Sequence, residues 1–271
     1  MAISTEGLPP IPKNTLSARS ELLKTINEIS SGERNQSAAD DPAGIAIATE
    51  LVAEVASVNA ARQNTVGAIS AIRVAGGGLN SSSDSLLRLR DLALSAASST
   101  LDDTARNAIQ TEVNNIIGFV DQVAETTEFN GTPLLNGDAG ELLFQVGVNA
   151  DADSQITVET PDVSAEALGL SDASVATVED AQELIQTVDS ALEQLGEVKA
   201  DIGATEVKLT TAHDRASGEL ISKQNAISNL RDTDLASAST GLAQELVLAQ
   251  AQVAMRAQSN ASASVTLKLL G

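Results

Sequence analysis

Few side chains in this sequence can do covalent chemistry, and their spacing argues against it. The single histidine, His213, stands in Thr-Ala-His-Asp-Arg on a helical stretch and has no HExxH partner, so it lacks the neighbours that a metal ligand needs. There is no cysteine, which removes disulfides and thiolate ligands together. With one histidine and no cysteine, nucleophilic triads are nearly excluded. Gly76-Gly77-Gly78 is not GxGxxG and follows no strand pattern, so a phosphate loop is not expected there. Asp151-Ala-Asp-Ser154 begins like a calcium loop, but the EF-hand spacing does not follow. The reading is of a non-enzymatic protein with no cofactor and no metal.

The charge is distributed in a way that bears on partners. The chain has 271 residues and a net charge of −21, and between Asn107 and Val198 it has 18 acidic residues and no Lys or Arg. The remainder is close to neutral, with 19 acidic and 16 basic residues. Such a surface repels phosphate backbones, so nucleic acid is not an expected partner. The plain reading of the acidic middle is a solvated face that maintains solubility.

The elements that would carry any site are long helices. Hydrophobic residues make up 42% of the chain but aromatics only 1%, so the core must be Ala, Val, Leu and Ile. From Asp40 to Ser98 the apolar positions Ile45, Ala48, Val52, Val55, Val58 or Ala61, Val66, Ile69 and Ile72 recur in steps of three and four, which predicts one long amphipathic helix. Asp40 or Asp41 can cap it, with Pro42 just inside the start. At ~1.5 Å per residue it would run about 80 Å, too long to bury its stripe against a compact core, so other long helices must lie alongside. Three consecutive glycines at Gly76 to Gly78 cost roughly 1 kcal/mol each against Ala, and pattern alone leaves a break or a continuous helix open there.

Elsewhere, Pro9, Pro10 and Pro12 make residues 1–12 extended or irregular. Leu16, Leu23, Ile26 and Ile29 mark a short helix stopping near Ser31-Gly32. Thr100 to Asp103 reads as a capping turn before a helix carrying Ile109, Val113, Val120 and Val123. Asn130-Gly131 and Gly131-Thr-Pro133 signal turns, and Leu142 to Val148 with Gln155 to Thr160 read as two strands. A second long helix starts near Thr177 and runs roughly fifty residues to Leu230. Two helices of equal reach in one chain imply an antiparallel pair. The last segment, Asp234 to Leu270, has only a thin alanine-rich stripe through Leu242, Leu246, Ala249, Val253 and Ala257. Ordering a residue costs ~1–2 kcal/mol of backbone entropy, and one leucine per turn returns about that or less. The assembly helices around Leu16, Leu23 and Ile26, and around Leu242, Leu246 and Val253, therefore gain order on joining neighbours. No apolar run approaches the ~20 residues of a membrane span, so no membrane insertion is expected, and no secretory signal peptide is visible.

Several of these residues, taken in order, resemble a known family. Ile29-Ser-Ser-Gly-Glu-Arg34, Ser37-Ala-Ala-Asp-Asp41 with Ala43-Gly44, Leu86-Leu-Arg-Leu-Arg-Asp-Leu-Ala-Leu94, Phe129-Asn-Gly131 and Gln145-Val-Gly147 are similar to bacterial flagellin, as, more loosely, are Ala204 to Leu230, Ala249 to Gln258 and Val265 to Gly271. The resemblance covers nearly the whole chain. It implies a mainly α fold: a long antiparallel helical bundle or coiled-coil rod with small β-hairpins mid-chain, and an inner domain made of the paired N- and C-terminal helices. The corresponding divisions are 1–40 and 234–271 for the inner domain, and 41–233 for the rod with its hairpin region at 129–176. It also implies that the long helix continues through Gly76 to Gly78, and that the large insert of some members is absent.

The function implied is a structural subunit that self-assembles into an extracellular flagellar filament used for motility. Expected partners are further copies in a helical homopolymer, the flagellar export apparatus and chaperone, and hook-associated and cap proteins. Arg88, Leu92 and Glu112 match the positions that contact the innate immune flagellin receptor of animals. Two alternatives compete: a hook–filament junction protein with flagellin-like ends, and a secreted binding module whose acidic hairpin region engages a host or a cation. The proline-bearing start and the acidic middle depart from the family pattern.

Overall fold

In the computed structural model, residues 13–37 and 39–270 are described. The extended start expected over 1–12 lies outside the described residues, as do Ala38 of the capping motif and the terminal Gly271. The elements run α1 (Lys13–Ser31), α2 (Pro42–Ala96), α3 (Asp103–Thr126), β1 (Glu128–Phe129), β2 (Thr132–Pro133), β3 (Glu141–Gln145), a short 3-10 turn (Ala152–Ser154), β4 (Gln155–Glu159), α4 (Val178–Arg231) and α5 (Leu235–Leu270). Two compact units emerge: Glu54–Ile221, and Met1–Ala53 with Ser222–Gly271.

In the unit spanning 54–221, α2, α3 and α4 pack into an antiparallel bundle. Its core is aliphatic, with Leu79, Leu86, Leu89, Val113, Val120, Leu195 and Leu209 fully buried. Ion pairs tie the helices at their margins: Arg73 to Glu206 at 2.8 Å and Arg90 to Asp189 at 2.6 Å, both between α2 and α4. Of the expected stripe of α2, Ala48, Val58, Ala61 and Ile72 are buried. Ala61, Thr65, Ala68, Ile72, Ala75 and Leu79 face inward, whereas Val52 and Val66 are exposed.

α2 is continuous through the three glycines. Gly78 has a packing reason to be glycine, because a Cβ there would sit 2.6 Å from Leu135 Cδ1 and 2.7 Å from Thr127 Oγ1. The helix and the segments flanking the β1–β2 hairpin approach at that point, where only a glycine leaves room. The expectation that no stretch is apolar enough to span a membrane needs correction. α2 is long and apolar enough by composition to do so, since alanine, valine and isoleucine raise its hydropathy.

Two antiparallel hairpins lie beside the bundle. β3 pairs with β4 in the register Glu141↔Glu159 to Gln145↔Gln155, so the strands end at Gln145 and Glu159, short of the expected Val148 and Thr160. Val146 and Gly147 instead both donate to the Ser154 carbonyl, which bulges the turn. The β1–β2 pair, read from sequence only as turn signals, is a second hairpin. The loop from 160 to 177 buries Val163, Leu168, Leu170 and Val175. It is held by α3, where Asp121 Oδ1 accepts from Ala165 N (2.7 Å), and Gln110 accepts from Val175 N (2.7 Å) and donates to Ala173 O (3.1 Å).

Capping follows the sequence closely. Asp102 accepts from Ala105 N to start α3, and Thr177 with Asp180 forms a reciprocal box at the start of α4. The end of α2 is closed by the buried Arg106 guanidinium, which donates to the Ala96 and Ser98 carbonyls. His213 is partly buried, with Nδ1 lacking a partner. Of the 18 acidic residues between 107 and 198, all but Asp121 and Asp180 are exposed.

Candidate assembly and contact surfaces

The unit built from the two chain ends is held by polar contacts rather than by a core. α1 and α5 run antiparallel, with Thr25 Oγ1 donating to Glu245 Oε1 at 3.2 Å. Between them lie the partly buried Leu22, Thr25, Glu28 and Ile29 of α1 and Ala238, Leu242, Glu245, Ala249 and Gln252 of α5. This assigns the sequence-derived assembly residues to two different faces. Leu242 points into the pair. Leu23, Ile26, Leu246 and Val253 point away from it, with Val253 68% exposed. Leu16 lies in α1, but its side chain is outside the described residues. Leu235, Val247, Leu248, Met255 and Val265 extend the exposed apolar surface of α5, a breadth that a single-stripe reading of the sequence misses.

The segment between α1 and α2 clamps the chain ends together. Gly32, at φ +74°, ends α1 in the left-handed conformation, and its carbonyl accepts from Thr233 N at 2.8 Å. Arg34 N donates to Arg231 O at 2.6 Å. The Arg34 guanidinium and the Asn35 amide both reach the Leu230 carbonyl, at 3.2 and 3.3 Å, closing the end of α4. Glu33 pairs with Arg231 at 2.8 Å. The two candidate caps of α2 divide their roles. Asp41 accepts from Gly44 N at 2.9 Å, and Asp40 pairs with Lys24 at 2.9 Å. Any side chain at Gly44 would overlap the Asp41 carboxylate. The hydrogen bond between Lys24 and Asp40 raises the lysine pKa above its ordinary 10.5 and lowers the aspartate below its ordinary 3.8.

On the helical unit, Arg88 and Glu112 meet across α2 and α3. Arg88 Nε and Nη2 both donate to Glu112 Oε1, at 3.1 and 2.6 Å, and both side chains are about half exposed. Leu92 does not share that surface. At 7% exposure it belongs to the buried stripe with Leu86, Leu89, Ala93 and Ala96. Its side chain joins the aliphatic core that α2 shares with Val113 and Val120 of α3. Leu87 and Leu94 are instead the exposed leucines of α2's outer face.

Comparisons with known proteins show the family. The bacterial flagellin N-terminal helical region matches residues 11–139, and the C-terminal helical region matches residues 185–270. The flagellar filament 30.7 kDa core protein of Treponema maltophilum is 34% identical over 263 residues, covering 90% of each chain. The chain belongs to the bacterial flagellin family. A crystal structure of Bacillus cereus flagellin is 26% identical with a TM-score of 0.52, covering 57% of this flagellin and 88% of that chain. A flagellar hook-associated protein from Vibrio parahaemolyticus, 16% identical with a TM-score of 0.61, covers 71% of this chain and 100% of its own, and shares the fold alone.

Proposed function

We infer that this flagellin is the structural subunit of an extracellular bacterial flagellar filament, a homopolymer that serves motility, and that it is not an enzyme. The observation that carries the inference is the outward apolar surface on α1 and α5, set on a pair of helices with almost no core of its own. A heterologous contact that does not close builds an open helix, so one polypeptide suffices for a long filament. The chain ends, 1–40 and 234–271, then make the inner domain that copies share, and 41–233 makes the outer rod. Electron microscopy of purified protein after seeding tests this: filaments are expected, and persistent monomers at high concentration refute it. The hook–filament junction alternative draws on shared fold alone. Export through the flagellar channel with a chaperone, and contact with hook-associated and cap proteins, are the partners this role requires.

A receptor contact belongs to the same proposal in modified form. Arg88 and Glu112 supply an exposed, charged pair on which an animal innate immune flagellin receptor could dock, with Leu92 supporting the surface from beneath. Monomer should signal and filament should not. Arg88→Ala removes charge-assisted hydrogen bonds worth ~1.5–3 kcal/mol, roughly a tenfold or larger loss of affinity. Signalling by Arg88→Ala monomer equal to that of the parent removes the patch and leaves the filament assignment standing.

A further inference from the structure

Two Asn-Gly pairs lie close together in the hairpin region, Asn130-Gly131 and Asn136-Gly137, and the structure holds them in opposite states. Asn130 and Gly131 are the central residues of the two-residue turn joining β1 to β2, at φ +51° and +77°. Both are exposed, the Asn130 side chain makes no hydrogen bond among the described residues, and a Cβ on Gly131 would meet nothing within 4 Å. Asn136 is tied at both ends of its amide. Its Oδ1 accepts from Asp138 N at 3.1 Å, and its Nδ2 donates to Asp138 Oδ2 at 2.6 Å. Gly137 is packed on Asp162, where a Cβ would come 3.0 Å from the Asp162 Cβ.

We propose that Asn130 is a site of spontaneous conversion to aspartate and isoaspartate in the folded protein, and that Asn136 is protected from it. The Gly131 amide nitrogen gives its proton to hydroxide or buffer base and attacks Asn130 Cγ. The new C–N bond closes a five-membered succinimide, the Cγ–Nδ2 bond breaks, and Nδ2 leaves as ammonia after taking up a proton. Water then adds to one of the two ring carbonyls. Opening on one side restores the ordinary backbone as aspartate, and opening on the other routes the backbone through the side chain as isoaspartate. No oxidant or reductant is involved. The glycine matters because no side chain obstructs the attack, and the free Asn130 amide can rotate to meet it.

Each outcome changes the molecule differently. Aspartate tolerates the left-handed conformation at position 130 and keeps the turn, adding one negative charge to a stretch without Lys or Arg. Isoaspartate adds a backbone atom to a two-residue turn and so breaks the register Glu128↔Pro133 and Phe129↔Thr132.

The test is to incubate the purified full-length chain at mildly alkaline pH and follow both sites by peptide mass spectrometry, with enzymatic methylation to count isoaspartate. Two hydrogen bonds must break before Asn136 can cyclise, so Asn130 should convert at least about tenfold faster in the native protein. In denaturant the two sites should convert at similar rates. Asp138→Ala should raise the Asn136 rate toward that of Asn130, and Asn130→Gln should abolish most of the isoaspartate. Equal rates in the native protein, a faster Asn136, or an Asn130 that converts only after denaturation would each overturn the proposal.

Discussion

The helical unit and the unit of chain ends are built from similar residues and stabilised by different means. Between 54 and 221, leucines and valines from three helices, two hairpins and a loop share one core, in which Leu79, Leu86, Leu89, Val113, Val120 and Leu209 are fully buried. Among the described residues of the other unit, only Gly44 and Ala48 are buried, and α5 contributes none. That unit has comparable apolar content, but Leu23, Leu246, Val247, Leu248 and Val253 point outward and Leu242 is only partly buried. Its internal order rests on a polar clamp: Lys24–Asp40, Glu33–Arg231, and the Arg34 and Asn35 contacts to the Leu230 carbonyl. Exposed ion pairs contribute ~0–1 kcal/mol each, and helix ordering costs more than that per residue. The difference teaches that the first unit is a finished domain, whereas the second leaves apolar surface on α1 and α5 uncovered.

Deletion tests this contrast with the largest expected effect. Removing Asp234 to Gly271 should abolish filament growth while leaving a cooperative, helical thermal transition from the unit spanning 54–221. In the intact monomer, α5 should be cut rapidly by protease and become resistant once assembled. Filaments from the truncated chain, or loss of all cooperative unfolding, would break the comparison.

Paired substitutions sharpen it. Leu89→Ala opens a cavity in a fully buried site and should cost ~2–5 kcal/mol, read as a lowered denaturation midpoint. Val253→Ala, at an exposed site, should change monomer stability by no more than about 0.5 kcal/mol. It should nevertheless raise the critical concentration for assembly. A Val253→Ala protein that assembles like its parent would assign that face to solvent.

The contrast also explains what could be read from the sequence. Helix positions were legible because caps and periodicity are local: Asp102, Thr177, Asp234 and the Gly32 stop each act within one turn. Which side of a helix is buried was less legible. Val66 and Leu23 fit the stripes by size, yet the inner face of α2 takes Ala61, Ala68, Ala71 and Ala75, and α1 partly buries Leu22 and Thr25 beside the expected Ile29. Leu92 shows the same limit, since a residue at the edge of the expected stripe is in fact buried with it. Gln110 and Asp121 were invisible as structural residues because their partners are backbone groups of a distant loop, and Arg106 because it folds back on the carbonyls that end α2. The motif around Arg34 was visible as resemblance, but its work as a clamp on the end of α4 became apparent only when residues 196 positions apart met.

The smallest effect concerns one member of that clamp and carries a definite sign. The Lys24 hydrogen bond lowers the Asp40 pKa in the folded chain, so this contribution is present above the ordinary aspartate value of 3.8 and disappears as pH falls through the lowered folded value. From the other side, Asp40 raises the Lys24 pKa, so the lysine's contribution is complete below 10.5 and fades as pH climbs through the raised value. Both partners are solvent-accessible, so the pair acts as a local latch between α1 and the entrance to α2, with little weight in global stability. An NMR titration of the Asp40 carboxyl should show a midpoint below 3.8 in the parent and a return toward the ordinary value in Lys24→Ala. A midpoint that ignores the loss of Lys24 would remove this pair from the clamp and leave it to the Arg34, Asn35 and Glu33 contacts with α4.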